Sequence, residues 1–342
     1  MLKHFHELPA GFLEVAPERL EAMLGGPALI ELPGRRPEPL FVSIMLHGNE
    51  PTGLYAVQNL LRRHAGRELP RALSVFVGNV AAAARNLRRL DGQPDYNRVW
   101  PIDGQPADDS AESALMFEIV EHMRRRAVFA SIDVHNNTGL NPHYGCVNRL
   151  DHRYLNLAAM FSRIGVYFVR PRGVCSMAMG ALAPSTIIEC GKASQVQGTE
   201  HVADFLDAAL HLDHHPEHPV RSGDLDLYHT VATVTVAPDA SFGFGKVEAD
   251  LCLDPELERL NFRELQSGTA FGRVCSGDSL PVRVLDERGV DVAARYFTIE
   301  RDELCLAQAV MPSMLTLDER VIRQDCLCYL MERIDTSGAG PD

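Results

Sequence analysis

Two histidines and a glutamate stand at the ends of apolar stretches of this chain. His47 and Glu50 follow "LFVSIML", a run with one polar member, and His135 closes "SIDVH". Ligands collect at the carboxyl ends of strands in open α/β sheets, so we expect these side chains to meet. Two neutral imidazoles and one carboxylate match a catalytic zinc site, which keeps a fourth position for water. The pattern predicts one Zn²⁺ ion on these three residues, although H-x-x-E alone is frequent by chance.

A second acidic residue, Glu189, closes the apolar run "STIIEC" and is followed closely by Gly191. A carboxylate in that position is costly to desolvate unless a cation or hydrogen-bond donors lie nearby. This favours a place for Glu189 beside the metal. The alternative interpretation is a structural carboxylate in a salt bridge.

The segment 78–101 is too long for a plain connection, and segments of that length are usually functional or disordered. Arginine binds carboxylates through a fixed fork of donors, and asparagine amides add further hydrogen bonds. The segment therefore predicts a clamp for a substrate carboxylate, with a solvated basic surface loop as the alternative. Its candidate side chains are Arg85, Arg88, Arg89, Arg98, Asn79, Asn86 and Asn97.

Strand-like and helix-like segments alternate between about residues 40 and 210. The strand-like runs are near-continuously apolar, as expected of strands covered on both faces. They are "LFVSIML", "ALSVFVGNV", "VFASIDV", "GVYFVR" and "STIIEC", and the helical segments are "PTGLYAVQNLLRRHA", "DSAESALMFEIVEHMRRR" and "GTEHVADFLDAALHL". Asp109 is the expected N-cap of the second helix, with Glu112 completing a capping box. The alternation predicts an α/β domain with a parallel or mixed sheet.

A polar, histidine-rich tract, residues 211–224, separates this region from the rest. Such a tract can bind metal, but Pro216 interrupts the helical spacing that its histidines would need, which favours a linker. Short strands between Gly, Pro and Asp turns follow it. We therefore expect a catalytic domain over residues 1–215 and a mostly β C-terminal domain over residues 216–342.

The composition of the 342-residue chain excludes several classes of partner. Its net charge of −13 repels a nucleic-acid backbone, and its N-terminus lacks the anatomy of a signal peptide. No run reaches the ~18 apolar residues of a membrane span. The 8 cysteines form no CxxC pair, so we expect buried, reduced thiols and a cytoplasmic location. Whether the chain forms a homo-oligomer stays open.

Four motifs occur in the order and rough spacing of the succinylglutamate desuccinylase/aspartoacylase family, which belongs to the zinc carboxypeptidase-like hydrolases. They are "HGNE", the "GN…N-x-R…D-x-NR" pattern, "DVHNNTG" and "IIECGK", and "LNFRELQSGTAFG" extends the likeness into the second domain. The resemblance implies an α/β fold of the zinc carboxypeptidase-like type. We expect a mixed sheet flanked by helices, with a smaller, mostly β C-terminal domain.

The resemblance also implies a role for each matching residue. His47, Glu50 and His135 become the zinc ligands and Glu189 the general base. Asp95 corresponds to the aspartate that binds the far nitrogen of the first histidine.

The resemblance assigns substrate-binding roles as well. Asn97 and Arg98 resemble the pair that receives the substrate carboxylate. Arg88 resembles the arginine that polarises the scissile carbonyl, with Arg85 or Arg89 as alternatives.

The implied activity is hydrolysis of the amide bond of a small N-acyl amino acid or related amide by a zinc-activated water. Met179 stands where aspartoacylases carry an arginine for an acidic acyl group, and Arg170 and Arg172 lie farther upstream, so the acyl group stays open. A metallocarboxypeptidase needs the same ligands and base, but it also needs an open groove. A non-catalytic binding protein on this fold would lack a ligand or the base, whereas every expected group is present here.

Overall fold

The computed structural model describes residues 1–193, 195–221, 223–275 and 279–334. The chain divides into two units. The first unit comprises residues 1–136, 143–167 and 171–226, and the second comprises residues 137–142, 168–170 and the described residues from Leu227 onward.

A mixed sheet with strand order β1-β2-β4-β3-β5-β8-β6-β7 forms the centre of the first unit. Its strands are β1 (Lys3–Phe5), β2 (Ala28–Leu32), β3 (Gly34–Ile44), β4 (Leu69–Val77), β5 (Ala130–Asn137), β6 (His143–Val147), β7 (Ile164–Tyr167) and β8 (Ser185–Lys192). Strand β3 lies between β4 and β5 and is parallel to both, while β2–β4 and β6–β8 are antiparallel pairs. The expected mixed sheet is confirmed.

Helices cover both faces of this sheet. They are α1 (Leu20–Leu24), α2 (Thr52–Arg63), α3 (Val80–Ala83), α4 (Ala111–Arg125), α5 (His152–Phe161), α6 (Cys175–Met179) and α7 (Val196–His211). Side chains alternate along β3, so Val42 and Ile44 pack in the core that contains α2, α5 and α7. Phe41 points the other way and packs in the core that contains α4 and α6.

Helix α4 begins one residue later than the sequence pattern indicated. Its N-cap is Ser110, whose side chain accepts a hydrogen bond from Ser113 N (3.1 Å), so the expectation for Asp109 was wrong. The preceding turn is stabilised by Asp108, which accepts from Ser110 N (2.9 Å). Aspartate and serine are equally good caps, and the position of the first helical turn decides between them.

The second unit contains mostly β structure, as expected. Strand β9 (Asp226–Val236) pairs antiparallel with β13 (Val282–Asp286) and with β17 (Cys328–Arg333), which pairs with β16 (Met311–Ser313). A five-stranded sheet has the order β10-β11-β12-β15-β14. The described residues of this unit also contain two short α-helices and a 3₁₀ helix, Leu257–Leu260. The remaining elements are β10 (Phe242–Phe244), β11 (Leu251–Leu253), β12 (Ala270–Val274), α8 (Ala293–Tyr296), β14 (Phe297–Glu300), β15 (Glu303–Leu306) and α9 (Glu319–Gln324).

Two of the cysteines are not buried, contrary to the expectation. Cys275 is exposed and Cys252 is partly buried, with their Sγ atoms 3.0 Å apart. Along β11 the flanking residues Leu251 and Leu253 point into the core, so alternation places Cys252 on the outer face. Among the described helices, none is long and apolar enough to cross a membrane.

Candidate metal centre and catalytic site

The chain turns sharply between β3 and α2, and this turn carries His47 and Glu50. Met45 has a φ of +57°, a left-handed conformation that costs a non-glycine residue about 1 kcal/mol. A Cβ at Gly48 would lie 2.2 Å from Ala83 N, so only glycine fits there. Helix α2 begins at Thr52, so both His47 and Glu50 lie in the turn before it.

The side chains of His47, Glu50 and His135 converge on one point. Glu50 Oε1 lies 2.8 Å from His47 Nδ1, and Glu50 Oε2 lies 2.7 Å from His135 Nδ1. All three are buried, and one ligand atom from each lies within 4.8 Å of the others. Among the described residues, this is the one group of three or more histidine, cysteine or acidic side chains so placed.

An aspartate contacts the far nitrogen of each imidazole. Asp95 Oδ1 lies 3.0 Å from His47 Nε2, and Asp133 Oδ2 lies 3.0 Å from His135 Nε2. Histidines that bind a metal ion typically donate their other ring N–H to a carboxylate, which fixes tautomer and orientation. The aspartates therefore hold both imidazoles with Nδ1 directed toward Glu50. The two Nδ1 atoms and the Glu50 carboxylate form a donor set that fits a zinc ion.

The pKa of Glu189 is shifted in the opposite direction to the pKa values of Glu50 and Asp95. Burial raises the pKa of Glu189 to about 7, with His135 opposing the shift. Burial also disfavours the charged form of Glu50, but His47 and His135 outweigh it and hold the pKa of Glu50 well below its usual range. The pKa of Asp95 is likewise lowered, because His47 and Arg88 outweigh the effect of burial. Glu189 is thus the carboxylate suited to exchanging a proton near neutral pH.

One of the three candidate arginines lies beside the cluster. Arg88 is buried, donates to Asp95 Oδ2 through Nη2 (3.1 Å), and its Nη1 is 3.7 Å from Glu50 Oε1. Arg85 is exposed, and Arg89 donates to the Gln93 carbonyl (2.6 Å). The structure therefore brings Arg88 to the predicted metal ligands.

The Asn97 side chain is directed into the protein, in contrast to Arg98. Asn97 Oδ1 accepts from Cys175 N (2.9 Å), and its Nδ2 lies 3.1 Å from His135 Nε2. Arg98 is partly exposed and donates to the Asn97 carbonyl (2.8 Å). Of the predicted pair, Asn97 contacts a predicted metal ligand and Arg98 retains access to solvent.

Two side chains at the site were not foreseen from the sequence. Ser43 donates to Asp133 Oδ1 (2.5 Å), and Asn136 donates to the Gly191 carbonyl (3.0 Å) while its own N–H contacts Glu50 Oε2 (3.2 Å). A signal existed for Ser43, because it is the one polar residue within "LFVSIML". A polar group in a buried strand needs a hydrogen-bond partner.

The residues near the expected acyl-binding position have other partners. Met179 is completely buried in the core that contains α4 and α6. Arg172 donates to Asp103 Oδ1 (2.7 Å), and Arg170 donates to the Glu287 carbonyl (3.1 Å).

Residues 39–205 match the family model of the succinylglutamate desuccinylase/aspartoacylase catalytic domain. This range contains the buried His47–Glu50–His135 cluster, Asp95, Arg88 and Glu189. Residues 39–205 of this chain form a succinylglutamate desuccinylase/aspartoacylase catalytic domain. Its catalytic domain is that of a deacylase-type hydrolase. A search of curated protein sequences found no match.

Solved structures of the family share this fold at low sequence identity. Succinylglutamate desuccinylase from Chromobacterium violaceum is 15% identical, with a TM-score of 0.56 over 88% of this chain and 86% of that one. Succinylglutamate desuccinylase/aspartoacylase from Rhodobacter sphaeroides is 16% identical (TM-score 0.59, 90% and 88%). Murine aminoacylase 3 is 16% identical (TM-score 0.53, 88% and 96%). These similarities confirm the zinc carboxypeptidase-like fold that we expected for this chain.

Proposed function

We propose that the chain is a zinc-dependent amidohydrolase that releases the acyl group from a small N-acyl amino acid or related amide. The observation that carries this proposal is the convergence of His47 Nδ1, Glu50 and His135 Nδ1, with an aspartate behind each imidazole. A zinc ion held by these residues would supply Lewis acidity, which lowers the pKa of a water molecule and polarises a carbonyl group.

Glu189 acts as the general base and then as the general acid. Its pKa of about 7 lets the carboxylate accept a proton from the attacking water and return it to the departing amine. Burial excludes bulk water from this carboxylate, which keeps the transferred proton within the site.

Arg88 and Arg98 supply fixed positive charge. Arg88, braced by Asp95, faces the oxygen on which negative charge develops during attack. Arg98 receives the carboxylate of the substrate and orients the amide, with the Asn97 amide adjacent to it. We also propose that residues 1–215 form the catalytic domain, which contains all the residues named above, and that residues 216–342 form a separate, mostly β domain.

Replacing Glu189 with Gln tests the assignment of the base. We expect Glu189→Gln to lower kcat by about 10²–10⁴-fold, because the amide cannot accept a proton, while one zinc ion per chain stays bound. Turnover and metal content would be measured on the same preparation. Glu200→Gln, at an exposed position of α7, is the matched control and should retain full activity. Normal turnover by Glu189→Gln would refute the assignment.

A substrate panel tests the reaction class. N-acetyl, N-succinyl and N-aspartyl amino acids would be assayed beside short peptides, because a metallocarboxypeptidase needs the same ligands and base. We expect hydrolysis of at least one N-acyl amino acid and none of the peptides. Preferential cleavage of the peptides would establish the carboxypeptidase alternative.

A further inference from the structure

Five buried residues form a closed ring of contacts on the side of His135 that faces away from Glu50. Ser43 Oγ donates to Asp133 Oδ1 (2.5 Å), and Asp133 Oδ2 lies 3.0 Å from His135 Nε2. Asn97 lies between His135 Nε2 (3.1 Å) and Cys175 N (2.9 Å). Cys175 Sγ is 3.4 Å from Ser43 Oγ, which closes the ring. None of these residues is more than 5% exposed.

The register between two parallel strands creates the Ser43–Asp133 contact. Strands β3 and β5 pair so that Ser43 stands beside Asp133, 90 positions later in the chain. Asp133 is completely buried, and a buried carboxylate is costly unless each oxygen has a donor. His135 faces one oxygen and Ser43 donates to the other. The serine hydroxyl thus keeps the carboxylate oriented toward the imidazole.

The aspartates that contact the two histidines lie in different environments. Asp95, which contacts His47, retains 12% side-chain exposure and forms a salt bridge with Arg88. Asp133, which contacts His135, has no exposure. Solvent and a guanidinium can maintain the orientation of Asp95 after small changes, whereas the contacts described for the Asp133 carboxylate oxygens are to the buried side chains of Ser43 and His135. The orientation of Asp133, and with it that of His135, therefore depends more strongly on a single hydroxyl group than the orientation of Asp95 and His47 does.

We propose that Ser43 is a positioning residue which, through Asp133, fixes the tautomer and orientation of His135 and thereby sets the affinity of the site for its metal ion. A cation at Nδ1 requires the lone pair of that nitrogen, so the ring proton has to reside on Nε2, where Asp133 accepts it. This inference rests on the proposed role of His135 as a zinc ligand.

The test compares metal binding by Ser43 variants with that of a matched control. Ser43→Ala should weaken zinc binding by about tenfold or more, measured by competition with a chromogenic chelator, and should change the visible spectrum of the cobalt-substituted protein. Ser43→Cys places a weaker hydrogen-bond donor at the same position and should also weaken binding when it is kept reduced, because Cys175 lies beside it. This variant tests the inference if the alanine variant does not fold. Ser74→Ala removes another completely buried serine, on β4, whose hydroxyl has no hydrogen-bond partner among the described residues. It should bind zinc like the wild type.

The outcomes separate this inference from the proposed function. Wild-type protein that binds zinc and hydrolyses N-acyl amino acids, together with Ser43 variants of unchanged zinc affinity and cobalt spectrum, would overturn the role of Ser43 alone. Wild-type protein that binds neither zinc nor cobalt would overturn the proposed function and this inference with it.

Discussion

At the residue scale, environment divides chemically similar carboxylates into different roles. Glu50 lies between two imidazoles and keeps its charge, as a metal ligand must. Glu189 is equally buried, but its pKa rises to about 7 because the cationic groups near it compensate only part of the burial. Pairs of acidic groups with pKa values moved in opposite directions are a frequent mark of a catalytic site.

The raised pKa of Glu189 has a consequence for stability. The folded protein holds this proton up to about pH 7, whereas the unfolded chain releases it near the ordinary value of 4.5. Stability of the metal-free protein should therefore fall as pH rises between these values. Glu189→Gln should be more stable than the wild type at pH 8, by up to about 3 kcal/mol, with a smaller difference at pH 5. Urea unfolding of the metal-free proteins would measure this.

The control for this pH dependence is again Glu200→Gln, at an exposed position. Its stability relative to the wild type should not change between pH 5 and pH 8. A difference between Glu189→Gln and the wild type that is equal at both pH values would contradict the assigned pKa shift.

At the element scale, the turn between β3 and α2 determines whether the proposed metal ligands can meet. Its backbone passes so close to α3 that a Cβ at Gly48 would lie 2.2 Å from Ala83 N and 2.3 Å from Ala82 C. Gly48→Ala should destabilise the protein by about 1–3 kcal/mol or more, and it should also reduce zinc binding, because the turn carries His47. Chemical denaturation and chelator competition would measure these effects.

Gly66→Ala is the matched control for the Gly48 substitution. Gly66 has a positive φ (+71°), which Gly48 does not, and no atom lies within 4 Å of a Cβ added at Gly66. It should cost about 1 kcal/mol from backbone strain and leave zinc affinity unchanged. Equal losses of stability and zinc affinity in the two variants would contradict the role assigned to the close approach of Gly48 to α3.

The start of α4 provides a second test at this scale. Ser110→Ala removes the hydrogen bond to Ser113 N and should lower the free energy of unfolding by about 1 kcal/mol. Asp109→Ala should change it by less than about 0.5 kcal/mol, because Asp109 is exposed and does not cap the helix. Equal losses in the two variants would restore Asp109 as the cap.

At the scale of the whole molecule, the metal ion should couple parts of the first unit that are distant in sequence. Its proposed ligands come from the turn after β3 and from β5, up to 88 positions apart in number. Zinc that binds only the folded chain should raise stability by about 2.7 kcal/mol at a hundredfold excess over its Kd. The thermal unfolding midpoint should therefore increase with zinc concentration.

The same titration on two histidine variants identifies the site. His135→Ala should abolish the increase, whereas His211→Ala, at an exposed position at the end of α7, should retain it. An equal increase in wild type and His135→Ala would show that zinc binds elsewhere on the chain.

Much of this protein followed from short stretches of sequence, because local patterns specify strands, helices and the order of motifs. The apolar runs predicted the strands β3, β4, β5, β7 and β8, and the motifs around His47, His135 and Glu189 predicted the family. These features depend on side-chain type and spacing within a few residues, so they can be recognised without long-range contacts.

Other features were decided only by the tertiary structure. The sequence favoured Arg88 but left Arg85 and Arg89 as alternatives, whereas the fold buries Arg88 beside Glu50 and leaves Arg85 exposed. Ser43 and Asp133 meet only because β3 and β5 pair in one particular register. The proton affinity of Glu189 likewise depends on how deeply the surrounding strands bury it. Contacts, register and burial arise from residues far apart in the chain, and for that reason sequence spacing alone could not determine them.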